Sequence, residues 1–424
     1  MRARGCDMAA AVKVDAVVLG AGIIGVCAAL HLQARGRSVM LVDRRGPGEE
    51  TSFGNAGLIE RASIVPYAFP RSLRDILHYA SNRASQVRYD PLFLPRIAPW
   101  LFSYWRHSSP TRLAKAAIAM LPLIERCVDE HDAFIAASGS EDLVRRAGWI
   151  EAFRTEAAFD RAAAATTVAA EHGLSFELLD GGGLRAREPS LTATLTGAVH
   201  WLDPVSVRDP HALTMRYVGL FASRGGRFQH ADAGTLAAGT DGWSVVTDAG
   251  TVAARDVVVS LGAWSGTLAR RHGYRVPLAV KRGYHMHYAA GPGAGLSRPV
   301  LDDEAGFVLA PMARGIRLTT GVEMAGIQAP ASPVPLSRCE PLARQILPLG
   351  ERLDAAPWLG CRPALPDMRP VIGPAPRHSG LWFSFGHAHH GLTLAAVSGR
   401  LLAELVTGAE TVVDPAPYAL TRFV

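Results

Sequence analysis

Lysine is nearly missing from this 424-residue chain: Lys13, Lys115 and Lys281 are the only three, and arginine supplies the rest of the 44 basic residues. Against 38 acidic residues they leave a net charge of +6. The excess suits anionic ligands, nucleic acid, a membrane surface or none of these, and the lack of any run of five or more Lys/Arg argues against a nucleic-acid-binding arm. Arginine's planar fork suits carboxylates and phosphates, although an alanine- and arginine-rich composition also follows from genomic base composition alone. Cysteine is equally sparse. Cys6, Cys27, Cys127, Cys339 and Cys361 are odd in number, scattered and without a CxxC pair, so neither a disulfide framework nor a zinc or dithiol motif is expected, and a reducing compartment fits. No stretch of 18 apolar residues free of charge or turn signals occurs, which excludes an ordinary transmembrane helix. With 49% hydrophobic and 19% charged residues the chain is a folded protein, and its length calls for two domains.

The first thirty residues carry Arg2, Arg4 and Lys13 ahead of an apolar stretch, the outline of a secretion signal. Gly20, Gly22 and Gly25 interrupt that stretch, and the pattern resolves into a βαβ unit instead. Val14 to Leu19 reads as a strand buried on both faces, Gly22 to Arg35 as a helix ended by Gly36, and Ser38 to Val42 as a second strand running into Asp43. Gly20-Ala21-Gly22-Ile23-Ile24-Gly25 fits GxGxxG. The first glycine makes the turn, the second lets backbone approach a pyrophosphate, and the third packs helix against strand. Asp43, 18 residues after Gly25, is placed to bind ribose hydroxyls. Arg44 and Arg45 are candidates for a 2′-phosphate or for solvent, and Asp43 argues against the former.

Further along, Glu50 to Gly57 reads as a loop, and Ile64 to Pro110 is too rich in proline and aromatics for a regular helix or sheet. Amphipathic helices are expected over Thr111 to Ser138 and Glu156 to His172, and another begins at Asp209-Pro210. Strands are expected at Trp243 to Thr247 and Val257 to Leu261, and through much of Pro277 to Leu318. Pro330 to Pro341 reads as a linker. Leu381 to Phe385 is a strand broken at Gly386, and Gly391 to Val406 a helix stopped by Gly408.

Four segments together resemble the D-amino-acid oxidase and dehydrogenase superfamily, and most closely its bacterial D-amino-acid dehydrogenase branch. They are the βαβ unit, the loop Glu50-Thr51-Ser52-Phe53-Gly54-Asn55-Ala56-Gly57, the strand Val257 to Leu261 with Gly262-Ala263-Trp264-Ser265, and Gly360 to Asp367 with Pro370 to Gly373 and Gly386 to Thr393. The resemblance implies an α/β fold: a Rossmann-like FAD-binding domain of glutathione-reductase type with a discontinuous α+β substrate domain on a mixed or antiparallel sheet. The expected division is 12–60, 190–275 and 355–424 for FAD, and 61–189 and 276–354 for substrate. FAD is the implied cofactor, held by Gly20, Gly22, Ile23, Ile24, Gly25, Asp43, Arg44, Arg45, Thr51, Ser52, Asn55, Ala56, Gly57, Gly262, Trp264, Arg362, Gly386, His387, His390, Gly391, Leu392 and Thr393.

The resemblance also implies roles. Arg362 is the expected clamp on the substrate carboxylate, Tyr284 a hydroxyl donor to the same group or a core aromatic, and His387 and His390 polar neighbours of the flavin. His285 and His287 share a strand face, but no carboxylate or cysteine set with ligand spacing accompanies the histidines, and no metal is expected. Such an enzyme converts a D-amino acid, or a cyclic amine such as D-hydroxyproline, to the imino acid and passes electrons to a quinone or other respiratory carrier. The rival readings are a glycine- or sarcosine-type oxidase that uses oxygen, an RNA-modifying flavoprotein domain, and a nicotinamide dehydrogenase. The expected location is the cytoplasm, with the aromatic segment Tyr67 to Trp105 either packed in the substrate domain or resting on the inner face of the membrane.

Overall fold

The computed structural model describes residues 12–293 and 295–423, so Cys6 and the start of the signal-like stretch lie outside the described residues. The apolar run Val12–Leu19 forms the centre of a sheet. It pairs in parallel with Val39–Asp43 on one side and Gly250–Val259 on the other, and Leu381–Phe385 extends the sheet in parallel beyond the latter. Helices Ile23–Ala34 and Gly391–Thr407 cover one face. Trp243, Tyr274 and Phe383 fill the other. Burial on both faces explains why these strands are uniformly apolar.

A second, larger sheet is mixed. Its central strand Ala279–Ala290 pairs antiparallel with Gly315–Thr319 and Trp358–Ala364, while Trp149–Phe153 and Val300–Asp302 run parallel farther out. Gly197–Trp201 and Trp358–Ala364 both belong to this sheet, although the expected division gave them to the nucleotide domain. Helix Pro110–Ala137, expected in the substrate domain, buries Met120, Leu123 and Ile124 in the core shared by the nucleotide-side helices.

Two stretches read as irregular are ordered. Ile64 to Pro110 holds the helices Leu73–Ala80 and Leu94–His107 and the strand Val87–Tyr89, and the supposed linker at Pro330 to Pro341 is mostly the helix Val334–Ile346. Pro95 and Pro335 mislead because proline is tolerated in a helix's first turn, where its missing N–H would have no partner anyway, while Pro99 and Pro341 lie farther inside the same helices.

His131 anchors the start of the carboxy-terminal helix. Its Nε2–H donates to the Leu392 carbonyl (2.7 Å) and its Nδ1 accepts from the Tyr217 hydroxyl (3.1 Å). Burial lowers its pKa to about 4, and those of buried His387 and His390 to about 3 and about 4. The unfolded chain takes up protons at these histidines below pH 6.5 while the native state does not. Stability from them is therefore full above pH 6.5 and is lost as pH falls towards 4, by on the order of 1 kcal/mol per pH unit for each histidine. Urea midpoints between pH 7 and 4 are expected to fall accordingly, and His131→Gln to flatten the slope.

Candidate active site

A cavity of about 860 Å³ lies between the carboxyl ends of the parallel strands and the inner face of the larger sheet. Its volume sits at the upper end of cofactor and small-ligand sites, and the ends of parallel strands are where α/β sheets bind ligands. Gly20, Asp43, Ser260 and Gly386, each at or just past a strand end, all line it.

At the nucleotide end, Gly20 adopts φ +106°, and a Cβ there would run into the Ser260 carbonyl. Gly25 packs against the Gly20 carbonyl with no room for a side chain, as the third glycine of the motif requires. It lies behind the cavity wall, whereas Gly22, Ile23 and Ile24 line it. Asp43 accepts the Ala21 N–H at 2.8 Å, which ties the strand end to the glycine turn. Arg44 and Trp264 both line the cavity, the guanidinium 4.3 Å over the ring, while Arg45 does not; both arginines pair with Glu50. Ser260 and Ser384 present buried hydroxyls to the wall without a hydrogen-bond partner. Clefted backbone, a strand-end carboxylate and orphaned hydroxyls suit a polyhydroxyl dinucleotide such as FAD.

The loop after Glu50 is stitched to its surroundings. Ser52 accepts the Ile23 N–H (3.0 Å), Thr51 donates to the Cys361 carbonyl (2.9 Å), and Asn55 accepts the Gly57 N–H (2.8 Å). Thr51, Ser52, Asn55 and Ala56 line the cavity, as does Gly262. Gly57 does not: at φ +77° it packs under the Val207 carbonyl. Gly391, Leu392 and Thr393 line the far wall at the start of a 17-residue helix. Thr393 accepts the Glu60 N–H (3.1 Å) and donates to the Leu58 carbonyl (3.1 Å).

Above this floor, register places Arg362 opposite Lys281 and Gly360 opposite Gly283. The Arg362 guanidinium folds across Gly283, where a Cβ would sit only 2.6 Å from Nη1, and donates to the Gly321 carbonyl (3.0 Å). Among the described residues no carboxylate comes within ion-pair distance of it, and burial lowers its pKa. Facing the same cavity are Glu60 and Asp303, whose acidities burial weakens, Glu60 to about 8 with help from Glu151. Tyr67 lines the same wall and packs against His389, the ring centroids 4.7 Å apart and the planes tilted by 54°.

Tyr284 borders the cavity, but of its two expected readings the structure favours the core aromatic. Strand alternation turns its ring away from Lys281, Gly283 and Arg362, and its hydroxyl donates to buried Glu323 (2.6 Å) while accepting from the Ser332 N–H (2.8 Å). The hydroxyl is therefore committed to the far face of the sheet. His387 lines the cavity but spends Nε2 on Ser398 (3.0 Å), and His390 lies behind the wall, bonded to Ser63 (2.8 Å). His389 also lines the wall, and its buried Nε2 has no hydrogen-bond partner.

The fold also brings Asp354 to His285 and His287, a trio close enough to hold a metal. The hydrogen bonds of His287 and Asp354 work against that use. His287 donates from Nδ1 to Asp354 (2.8 Å) and accepts at Nε2 from Arg317 (3.0 Å), whose fixed cation repels a metal ion. Arg317 also donates to the Asn55 carbonyl, so the network braces the cavity loop.

Residues 15–405 match the family model described as FAD-dependent oxidoreductase. The chain belongs to that family. It is 31% identical over 421 residues to a D-amino acid dehydrogenase of Sinorhizobium medicae, covering 96% of this chain and 99% of that one. It is 29% identical over 417 residues to a D-amino-acid oxidase of Bradyrhizobium diazoefficiens, covering 96% and 98%. Among solved structures, glycine oxidase from Geobacillus kaustophilus superposes with a TM-score of 0.74 at 23% identity over 97% of this chain and all of that one. L-proline dehydrogenase from P. horikoshii gives 0.72 at 17% over 97% and 98%. The fold is shared, and the protein is an FAD-dependent oxidoreductase.

Glu60, Lys281 and Asp303 carry no assigned role in the sequence, Lys281 standing out only as one of three lysines; His389 belongs to the glycine turn expected to face the flavin, and Tyr67 opens the aromatic segment.

Proposed function

We propose that the protein oxidises a D-amino acid, or a cyclic secondary amine such as D-hydroxyproline, to the imino acid. Bound FAD would take up the hydride, and a respiratory carrier such as a quinone would be the final electron acceptor. The observation that carries this reading is Arg362, a guanidinium facing a cofactor-sized cavity with no carboxylate among the described residues to neutralise it. A substrate carboxylate supplies that anion bidentately. The named relatives at about 30% identity support the amino-acid class and the D configuration.

Bound FAD supplies the hydride acceptor. The glycine turn and Asp43 would hold its pyrophosphate and ribose, and the N–H groups of Gly391, Leu392 and Thr393 its electron-rich edge. Arg362 fixes the carboxylate and so the direction of the α-hydrogen, while the enclosing walls exclude water. A primary imine then hydrolyses to a 2-oxo acid and ammonia, whereas a cyclic imine persists.

Turnover of D-amino acids, L-amino acids, sarcosine and hydroxyproline isomers with a quinone analogue tests the reading. Activity confined to the D-series or D-hydroxyproline, with little hydrogen peroxide, is expected. One peroxide per amine oxidised would instead favour the oxygen-using oxidase.

The acceptor reading extends to location, at the inner face of the cytoplasmic membrane. No helix among the described residues is long and apolar enough to cross a membrane. Yet helix Leu73–Ala80 buries none of its residues, and Leu73, Leu77, Leu92 and Phe102 are 59 to 88% exposed in a segment that also carries Arg71, Arg74, Arg96 and Arg106. Apolar side chains among cations suit an anionic lipid surface. Activity is expected to sediment with membranes and to rise with anionic vesicles. Fully soluble activity indifferent to lipid would contradict this.

A further inference from the structure

Lys281 occupies a position where an ordinary lysine is out of place. It lines the cavity, and among the described residues no carboxylate pairs with it. The Arg362 guanidinium lies across the register pair, and His389 is the other basic group near it on the cavity side. From the helix Leu94–His107, Tyr104 and Trp100 offer ring faces at 4.1 and 5.6 Å from Nζ. In a chain that uses arginine almost everywhere else, the residue beside the carboxylate clamp is the one cationic type able to release its proton.

The proposed reaction requires such a group. An amino acid arrives as a zwitterion, but the carbon attached to an ammonium nitrogen cannot give up hydride, because no lone pair is available to form the C=N bond. We propose that Lys281 accepts the proton of the substrate's α-ammonium group, producing the neutral amine that is oxidised. The proposal rests on the amine-oxidation reading above. In this step one N–H bond of the substrate breaks, one forms at Nζ, and no electrons are transferred; the proton leaves to solvent after the product departs.

The surroundings favour this transfer. Burial, reinforced by Arg362, lowers the pKa of Lys281 to about 7, so the free amine is available near neutrality. A substrate carboxylate docking on Arg362 offsets that positive charge and makes Nζ more basic once substrate is bound. Among the other titratable groups on the wall, Glu60 is held protonated near neutrality and so is not ready to accept, and burial makes the His389 imidazole a much weaker base than usual.

The test is the pH dependence of anaerobic flavin reduction in wild type, Lys281→Met and Lys281→Arg, each at matched FAD content, with the amino acid that reduces the wild type fastest. The wild-type rate is expected to rise with pH through about 7. Both variants are expected to be about 10²-fold slower at pH 7 and to regain rate only in the alkaline range where the substrate loses its own proton. Lys281→Arg separates the two roles a lysine can play, since it keeps the charge and cannot accept a proton. Wild-type rate and profile in Lys281→Arg would make the residue a fixed charge and overturn the proposal, as would an unshifted profile in both variants. Wild-type flavin that no amine reduces would overturn the amine-oxidation reading itself, a result distinct from either.

Discussion

Arg362→Ala is expected to raise the substrate concentration for half-maximal flavin reduction by about 10²- to 10³-fold, because two charge-assisted hydrogen bonds to the carboxylate disappear together. Lys281 stands on the neighbouring strand but cannot reproduce a planar fork, so it does not rescue the variant. Arg362→Lys is expected to recover part of the loss. The internal bond of Arg362 to the Gly321 carbonyl also disappears in the alanine variant, so the flavin spectrum and urea midpoint belong in the same experiment. Normal affinity in Arg362→Ala would remove the carboxylate clamp from the account.

The second large effect concerns stability. Directly behind the cavity wall, Arg282 and Glu323 form a buried pair at 3.1 Å, 0 and 3% exposed, with the Tyr284 hydroxyl bonded to the same carboxylate. Arg282→Met leaves the buried carboxylate with only the partly exposed Arg88 (3.5 Å) as counter-charge and is expected to cost about 3 kcal/mol, read as a lower urea midpoint. Replacing both partners, as Arg282→Met with Glu323→Leu, is expected to restore most of that loss. Tyr284→Phe removes one hydrogen bond to the carboxylate and costs about 1–3 kcal/mol. Its KM is expected to stay within about twofold of wild type, since the hydroxyl lies on the far side of the sheet. A rise in KM comparable to that of Arg362→Ala would return Tyr284 to the substrate's carboxylate.

These two experiments mark the line between what the sequence reveals and what it conceals. The nucleotide end was legible because its parts are local: Gly20, Gly22, Gly25 and Asp43 fall within one βαβ unit, and their spacing is itself the geometry. Arg362 was legible through resemblance. The rest of the wall depends on strand register, which pairs residue 281 with 362 and 283 with 360 across some eighty residues of chain, and no local pattern encodes that. Alternation along Ala279–Ala290 is visible in the sequence, but which face meets the cavity is not, so Tyr284 stays open between a carboxylate donor and a core aromatic and Lys281 carries no role. His389 and His390 illustrate the same limit at shorter range, because a turn of 3₁₀ geometry decides which ring meets the cavity and which meets Ser63.

The most direct test of the central claim is anaerobic mixing of the oxidised holoprotein with matched enantiomers, for example D- and L-alanine and D- and L-proline, while the flavin absorbance is followed. The account predicts rapid, saturable bleaching by the D-enantiomers and little by the L-forms. A flavin that stays oxidised with every D-amino acid, or that L-enantiomers reduce as fast, would contradict it.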